Sequence, residues 1–351
     1  MGMTTETAAP SPDTRRGRWR IFVPTLLLLI AGLGWTGFWF WASARAEEAV
    51  DVWLAREAKL GRVYACGERH VGGYPFRIEL ECRNPSARIA VEGGEATGAA
   101  PRFLAVGQIY DPKRLIGELT GPVALTGPDG RKADLSFADA MGSAKVEGRR
   151  FERGSLEIKS PRLTTPEGEI GTAAELTIHV RRAPDAPDGT YDLAAAVDQA
   201  SSSLFDSLPV GSGPVSVEFQ ARADGLEDFR PGPIGDRLKA FADAGGRVKV
   251  ALARIARGDV AAEARGEAGL DQQGRIDGSF DVTARGVDEL VKSFAGGEER
   301  GGLSSLIGVG AKMLGKPAEL DGQAATVYRV ALDKGRVRLG PFKLTRLPPA
   351  F

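Results

Sequence analysis

Histidine and cysteine are nearly missing from this chain, with two of each among 351 residues. A four-ligand zinc site cannot be built from them without carboxylate help. No C-x-x-C spacing occurs, so a dithiol redox motif is excluded, and no G-x-S-x-G elbow marks a hydrolase nucleophile. Net charge is also absent, because 46 Lys+Arg balance 46 Asp+Glu. A neutral chain offers no electrostatic footprint for nucleic acid, and no nucleic-acid partner is expected. Aromatic residues are sparse at 7%. What the chain does have is glycine, 46 residues of it, about twice the ordinary share of ~7%. Without a G-X-Y period this excludes collagen and points to many tight turns between short strands. An apolar content of 42% suffices for a folded core.

Long uncharged runs are likewise rare, with one exception. Residues 21–41, Ile21 to Trp41, carry no charge, which as a helix spans a bilayer core of ~30 Å. Trp19 stands before this run, and Trp35, Trp39 and Trp41 lie toward its far end, as in the aromatic belts of membrane interfaces. Arg15, Arg16, Arg18 and Arg20 precede it, and Arg45, Glu47 and Glu48 follow. That asymmetry places residues 1–20 in the cytoplasm and everything from about Ala42 onward outside it, in a single-pass inner-membrane topology. A cleavable signal peptide is the rival reading, since Ala42-Ser43-Ala44 and Ala44-Arg45-Ala46 fit small-x-small cleavage sites. The apolar run exceeds an ordinary signal core of about 7–15 residues and ends in bulky aromatics, which favours an anchor. Arg15-Arg16 resembles a twin-arginine signal, but the residues after it depart from that pattern.

Cys66 and Cys82 lie just beyond the expected span. In an oxidising compartment they suit a disulfide; two unpaired core thiols are the alternative. Residues 42–60 form a helical stalk, with Val50, Trp53, Leu54 and Leu60 roughly on one face. Beyond Gly61 the period changes to two. Phe76, Ile78, Leu80 and Cys82 alternate with Arg77, Glu79, Glu81 and Arg83. Val215, Val217, Phe219 and Ala221 alternate with Ser216, Glu218 and Gln220, and Val248, Val250 and Leu252 with Arg247, Lys249 and Ala251. Ile276, Phe280 and Val282 share a face, as do Tyr328, Val330 and Leu332. Such runs are strands with one apolar and one wet face. Turn signals at Pro128-Asp129-Gly130, Asp188-Gly189, Gln273-Gly274 and Lys334-Gly335 join them as hairpins. Helices are expected at Ile234–Ala244, Val287–Phe294 and Leu303–Leu314. The expected fold is mainly β: a long curved antiparallel meander over 61–351, forming an open groove or a sandwich, with a few short helices behind one transmembrane helix. A division into two halves would fall near 185–232.

Gly310 to Lys316 satisfies the G-x-x-x-x-G-K spacing of a P-loop, but Pro317 stands where the magnesium-binding Ser or Thr belongs. A helix ending there would present its negative end to a phosphate. His70 sits within the cysteine-bracketed segment, and His179 alternates out of phase with Ile178 and Val180. The acidic residues are scattered as on a solvated face. No enzyme activity and no cofactor are expected. Gly72-Gly73-Tyr74-Pro75-Phe76 forces a defined turn into the following strand, either as a rigid hairpin entry or as an aromatic lip on an apolar groove. Tyr74, Phe76, Ile78, Leu80, Val217, Phe219 and Phe280 are the candidate groove residues.

Cys66, the run Gly73-Tyr74-Pro75-Phe76-Arg77 closed by Cys82, and Gly335-Arg-Val-Arg-Leu-Gly-Pro341, together with the anchor, resemble the uncharacterised alphaproteobacterial envelope family of domain of unknown function 2125. That likeness covers nearly the whole chain and implies no known activity. A broader similarity, over Gly269–Thr283 and Val327–Leu344, is to AsmA-like envelope proteins. It implies a curved sheet whose apolar face carries phospholipid, although this chain is far shorter than the long bridging members. The function expected is lipid binding or envelope maintenance, with phospholipid or another envelope protein as partner. The alternative is a structural or partner-binding protein with a closed core and no ligand.

Overall fold

The computed structural model describes residues 15–91, 93–148, 150–206, 213–226, 233–286 and 315–351. The N-terminal tail, the expected helices at 287–294 and 303–314, and residues 310–314 of the P-loop-like run lie outside them.

Helix α1 (Arg15–Lys59) is one continuous rod of 45 residues, about 67 Å long. The expected membrane helix and stalk are therefore a single element, and its Phe22–Lys59 portion is long and apolar enough to cross a membrane. The rod stops where Gly61 takes φ +76°, a backbone state that needs no Cβ. The chain then reverses. Strand β1 (Arg62–Gly72) runs back along α1, and β2 (Arg77–Val91) pairs with it from Arg62↔Ile89 to Gly72↔Glu79.

The next strands come in collinear pairs. They are β3 (Gly94–Ala99) with β4 (Arg102–Gln108), β5 (Asp111–Thr120) with β6 (Val123–Thr126), and β7 (Lys132–Ser136) with β8 (Asp139–Glu147). After them come β9 (Arg150–Lys159) with β10 (Arg162–Thr165), and β11 (Gly168–Thr172) with β12 (Glu175–Arg182). Both members of a pair lie on one edge of the preceding strand, as β3 and β4 do on β2. Each pair is thus one long strand broken near its middle. Proline stands at three of the five breaks, at Pro101, Pro122 and Pro161, where it has no N–H to give the ladder. The breaks align across the sheet and are bridged by backbone bonds. Asn84 N–H donates to the Pro101 carbonyl at 2.9 Å, and Ser160 N–H to the Ala174 carbonyl at 2.8 Å.

β13 (Tyr191–Ser202) pairs with both β12 and β11, and gathers the two series of half-strands. The short helix α2 (Ser203–Asp206) follows. β14 (Val215–Ala223) adds to β13. Helix α3 (Ile234–Asp243) then precedes β15 (Arg247–Arg257), β16 (Val260–Leu270) and β17 (Ile276–Arg285). At the far edge β18 (Lys316–Leu320), β19 (Gln323–Asp333), β20 (Arg336–Leu339) and β21 (Phe342–Arg346) complete one antiparallel sheet of 21 strands. The hydrogen-bond ladder runs unbroken through β13, β14 and β15. All four turn signals fall between paired strands, as at Gly127–Arg131 and Asp271–Arg275. α3 tucks Phe241 over Gly246, where a Cβ would stand 2.4 Å from the ring.

Deep burial is scarce. Among the described residues no large side chain is fully buried, and the accessible surface is 23835 Å², where a compact monomer of 37.2 kDa exposes about 14,000 Å². A sheet left uncovered on a face and a projecting helix both add to that surface.

Candidate functional site

The register sorts the sheet into two unlike faces. Paired residues share a face, so the ladders can be followed from strand to strand. One row starts at Ile78 and runs Gly107, Leu115, Ala144, Gly154, Val180, Leu193. It continues through Ala221, Val250, Gly266 and Phe280 to Val330. The next row on that face links Leu80, Ala105, Gly117, Gly142, Leu156, Ile178, Ala195 and Phe219. A third begins with Cys82↔Phe103↔Leu119, and farther along the sheet holds Ile158↔Leu176↔Val197↔Val217↔Ile255. These rows carry no charged residue; Arg182 and Arg257 stand on the same face at strand ends. Large residues are interspersed along the first two rows with glycine and alanine.

This face is open at many of its large residues. Leu115 is 55% exposed, Ile178 41%, Val217 40% and Ile255 50%. In a closed sandwich such inward positions would be buried. Of the candidate groove residues, Ile78 and Phe280 therefore share one row, Leu80 and Phe219 the next, and Val217 the third. Leu115, Leu156, Ile178 and Ile255 join them although they were not singled out. The alternation of Leu156 and Ile158 with Glu157, and of Leu176, Ile178 and Val180 with Thr177 and His179, is the signal that could have found them. Leu252 does the opposite of what its spacing predicts. A bulge between Val250 and Ala253 shifts the register, so Leu252 faces Gln220 on the polar side and Ala253 and Ile255 take the apolar one.

Tyr74 and Phe76 are placed elsewhere, against α1. The Trp35 indole donates to the Pro75 carbonyl at 2.9 Å, and the Trp39 indole to the Arg77 carbonyl at 2.9 Å. The hydroxyls of Thr36 and Tyr74 meet at 2.8 Å. Tyr74 packs edge-on to Trp39, and Phe76 lies 6.3 Å from the Trp35 ring. The tryptophans thus clasp the hairpin turn. Sequence reasoning assigned them to an aromatic belt because it cannot show which partner an indole N–H finds. Phe76 remains 63% exposed and Tyr110, in the neighbouring β4–β5 turn, 71%. The Ile109 N–H donates to the Phe76 carbonyl at 3.2 Å and holds the two turns together. Farther up, Trp53 stacks on Tyr64 at 5.2 Å and Arg69 pairs with Asp51 at 2.6 Å. The same hairpin is bridged internally by the Cys66–Cys82 disulfide, with Cα atoms 5.6 Å apart.

The opposite face is polar and carries mostly paired charge. Glu81 bonds Arg102 at 2.9 Å, Asp281 bonds Arg329 at 3.0 Å, and Asp321 bonds Arg254 at 2.6 Å. Hydrogen bonds from these arginines hold each of the three carboxylates below its ordinary pKa. Asp192 is held low by hydrogen bonds from Arg222 and Arg181, against a smaller opposing effect of burial. Burial pushes the neighbouring Tyr191 hydroxyl up, and it donates to the Phe151 carbonyl at 2.9 Å. His179 lies exposed on this face, between Ser155 and Ala194. His70 is exposed on β1. Gly315-Lys316-Pro317 leads into β18, a strand rather than the helix start that a phosphate loop requires.

A single amphipathic sheet, unusually exposed on its apolar side and fastened at one end to a helix long and apolar enough to cross a membrane, defines the class: a one-sheet β protein with an N-terminal apolar helix. Residues 39–348 match the family model described as "Uncharacterized protein conserved in bacteria (DUF2125)". The chain belongs to that family. No curated protein and no solved structure matches it.

Proposed function

We propose that this protein holds membrane lipid on the apolar face of its sheet, as a binding protein rather than an enzyme. In this reading α1 crosses the inner membrane with its N-terminus in the cytoplasm, and the sheet stands on the periplasmic side. The observation that carries it is the continuous apolar face, exposed at Leu115, Ile178, Val217 and Ile255 and joined through the β1–β2 hairpin to the aromatic end of α1. Exposed apolar surface on this scale is characteristic of a binding surface. Its occupant must be apolar and must be available beside a membrane helix, and acyl chains satisfy both conditions. About six methylenes laid along this face would gain roughly 5 kcal/mol.

Adjacent residues on opposite faces provide the test. A photo-crosslinking amino acid at Ile178 in the full chain, activated in cells, is expected to yield a lipid adduct by mass spectrometry. The same probe at His179 is expected to yield none. Equal labelling at both positions, or no lipid at Ile178, overturns the proposal. A protein adduct at Ile178 would replace it with partner binding.

A further inference from the structure

The polar face departs from charge pairing along one row. Arg114 sits opposite Lys145, Lys145 opposite Arg153, and Arg153 opposite Arg181. Beyond Asp192 the row continues with Arg222 opposite Lys249. Like charges placed directly opposite in a sheet are destabilising. Asp192 is the one carboxylate within this stretch, and it already binds Arg181 at 3.2 Å and Arg222 at 2.8 Å. Arg114, Lys145, Arg153 and Lys249 have no ion pair among the described residues. Three carboxylates flank the row: Glu147 bonds Lys113 at 2.5 Å, Glu267 stands opposite Lys249 but bonds Arg247 at 2.9 Å, and Asp224 attracts Arg222. Every member of the row except Lys145 lines a cleft of about 890 Å³, to which Ser155, His179 and Gln220 add neutral polar groups.

We infer that this cleft is a binding site for a ligand carrying several phosphate groups. Four of the six cations are arginines, whose planar forks match phosphate oxygens in pairs. Strands stand about 4.8 Å apart, so the seven positions from Arg114 to Lys249 extend roughly 29 Å, more than one phosphate occupies. The inference is independent of the lipid reading, which concerns the other face. The phosphates could belong to lipid headgroups or to a soluble polyanion, and the experiment separates these sources.

The probe is inorganic tripolyphosphate, titrated calorimetrically into the full chain in neutral detergent. Saturable binding that weakens as sodium chloride is raised is expected. Arg114→Glu and Arg153→Glu should each weaken it at least tenfold without lowering Tm, because each lines the cleft and relieves a like-charge contact. Arg153→Ala serves as a second variant that introduces no new charge and should weaken binding severalfold. Displacement of tripolyphosphate when the micelles are doped with phosphatidic acid assigns the site to headgroups; undiminished binding assigns it to a soluble ligand. Absence of saturable binding by the wild-type chain, or wild-type affinity in all three variants, overturns the inference.

Discussion

Ile178 and His179 are neighbours in sequence and belong to two different surfaces. On the side of Ile178, rows of aliphatic residues run from β2 to β19 with no charge among them. On the side of His179, charge is everywhere and mostly paired, except along the row from Arg114 to Lys249. The difference teaches that each face departs from what stability alone would select. An apolar face gains by being covered, yet this one is exposed. A polar face gains by alternating its charges, yet one row stacks cations. Both departures make sense as binding surfaces, one for apolar chains and one for anions.

Four perturbations would break or sharpen that contrast. The strongest concerns the hairpin that both faces share at their starting edge. Trp39 is buried and bonded to the Arg77 carbonyl, so Trp39→Ala should cost about 3–5 kcal/mol of hairpin docking. Faster tryptic cleavage at Arg77 in the full chain would report it. If lipid labelling at Ile178 and tripolyphosphate binding both survive that loss, the faces function independently of the anchor contact. Next, Cys66→Ser with Cys82→Ser opens a loop of 15 residues between the cysteines and should lower stability by about 3 kcal/mol. Chemical denaturation with and without reductant measures this.

Smaller effects are expected on the polar face. Lys145→Glu, placed between Arg114 and Arg153, should stabilise the protein by about 0.5–1 kcal/mol; a fall in Tm would show that the cations are not in conflict. Asp192→Asn should destabilise slightly and in a pH-dependent way. The folded-state pKa of Asp192 lies below the ordinary 3.8. Its contribution is therefore fully present above that value and is lost as pH falls through the lower one. The difference in Tm between wild type and variant should be constant near neutrality and close below about pH 4. The same variant should bind tripolyphosphate more tightly, since it removes the one carboxylate of the row.

Much of the apolar face was legible in the sequence, because alternation is a local property. The runs Ile78–Cys82, Val215–Ala221 and Tyr328–Leu332 show period two without reference to any partner, and their apolar residues do share a face. Leu252 was misplaced because a bulge is a relation between two strands, and nothing in Val248–Leu252 announces it. Tyr74 and Phe76 looked like the lip of a groove, and what draws them to α1 is a set of contacts spanning about forty positions in the chain, as between Thr36 and Tyr74. The basic row left no sequence signature at all. Its members come from β5, β8, β9, β12, β14 and β15, and each taken alone is an ordinary polar-face residue.

The sequence by itself determined the elements: an uncharged run long enough to cross a bilayer, strands with one greasy side, and glycine- and proline-marked turns between them. Spacing along the chain encodes these because a helix and a strand each impose their own period on the residues they expose. Only the tertiary structure decided that the apolar side stays open, that the tryptophans of α1 hold the first hairpin, and that scattered arginines and lysines align. Those outcomes depend on register and on which surfaces lack a covering layer, and register is fixed by pairing between strands rather than by any strand alone.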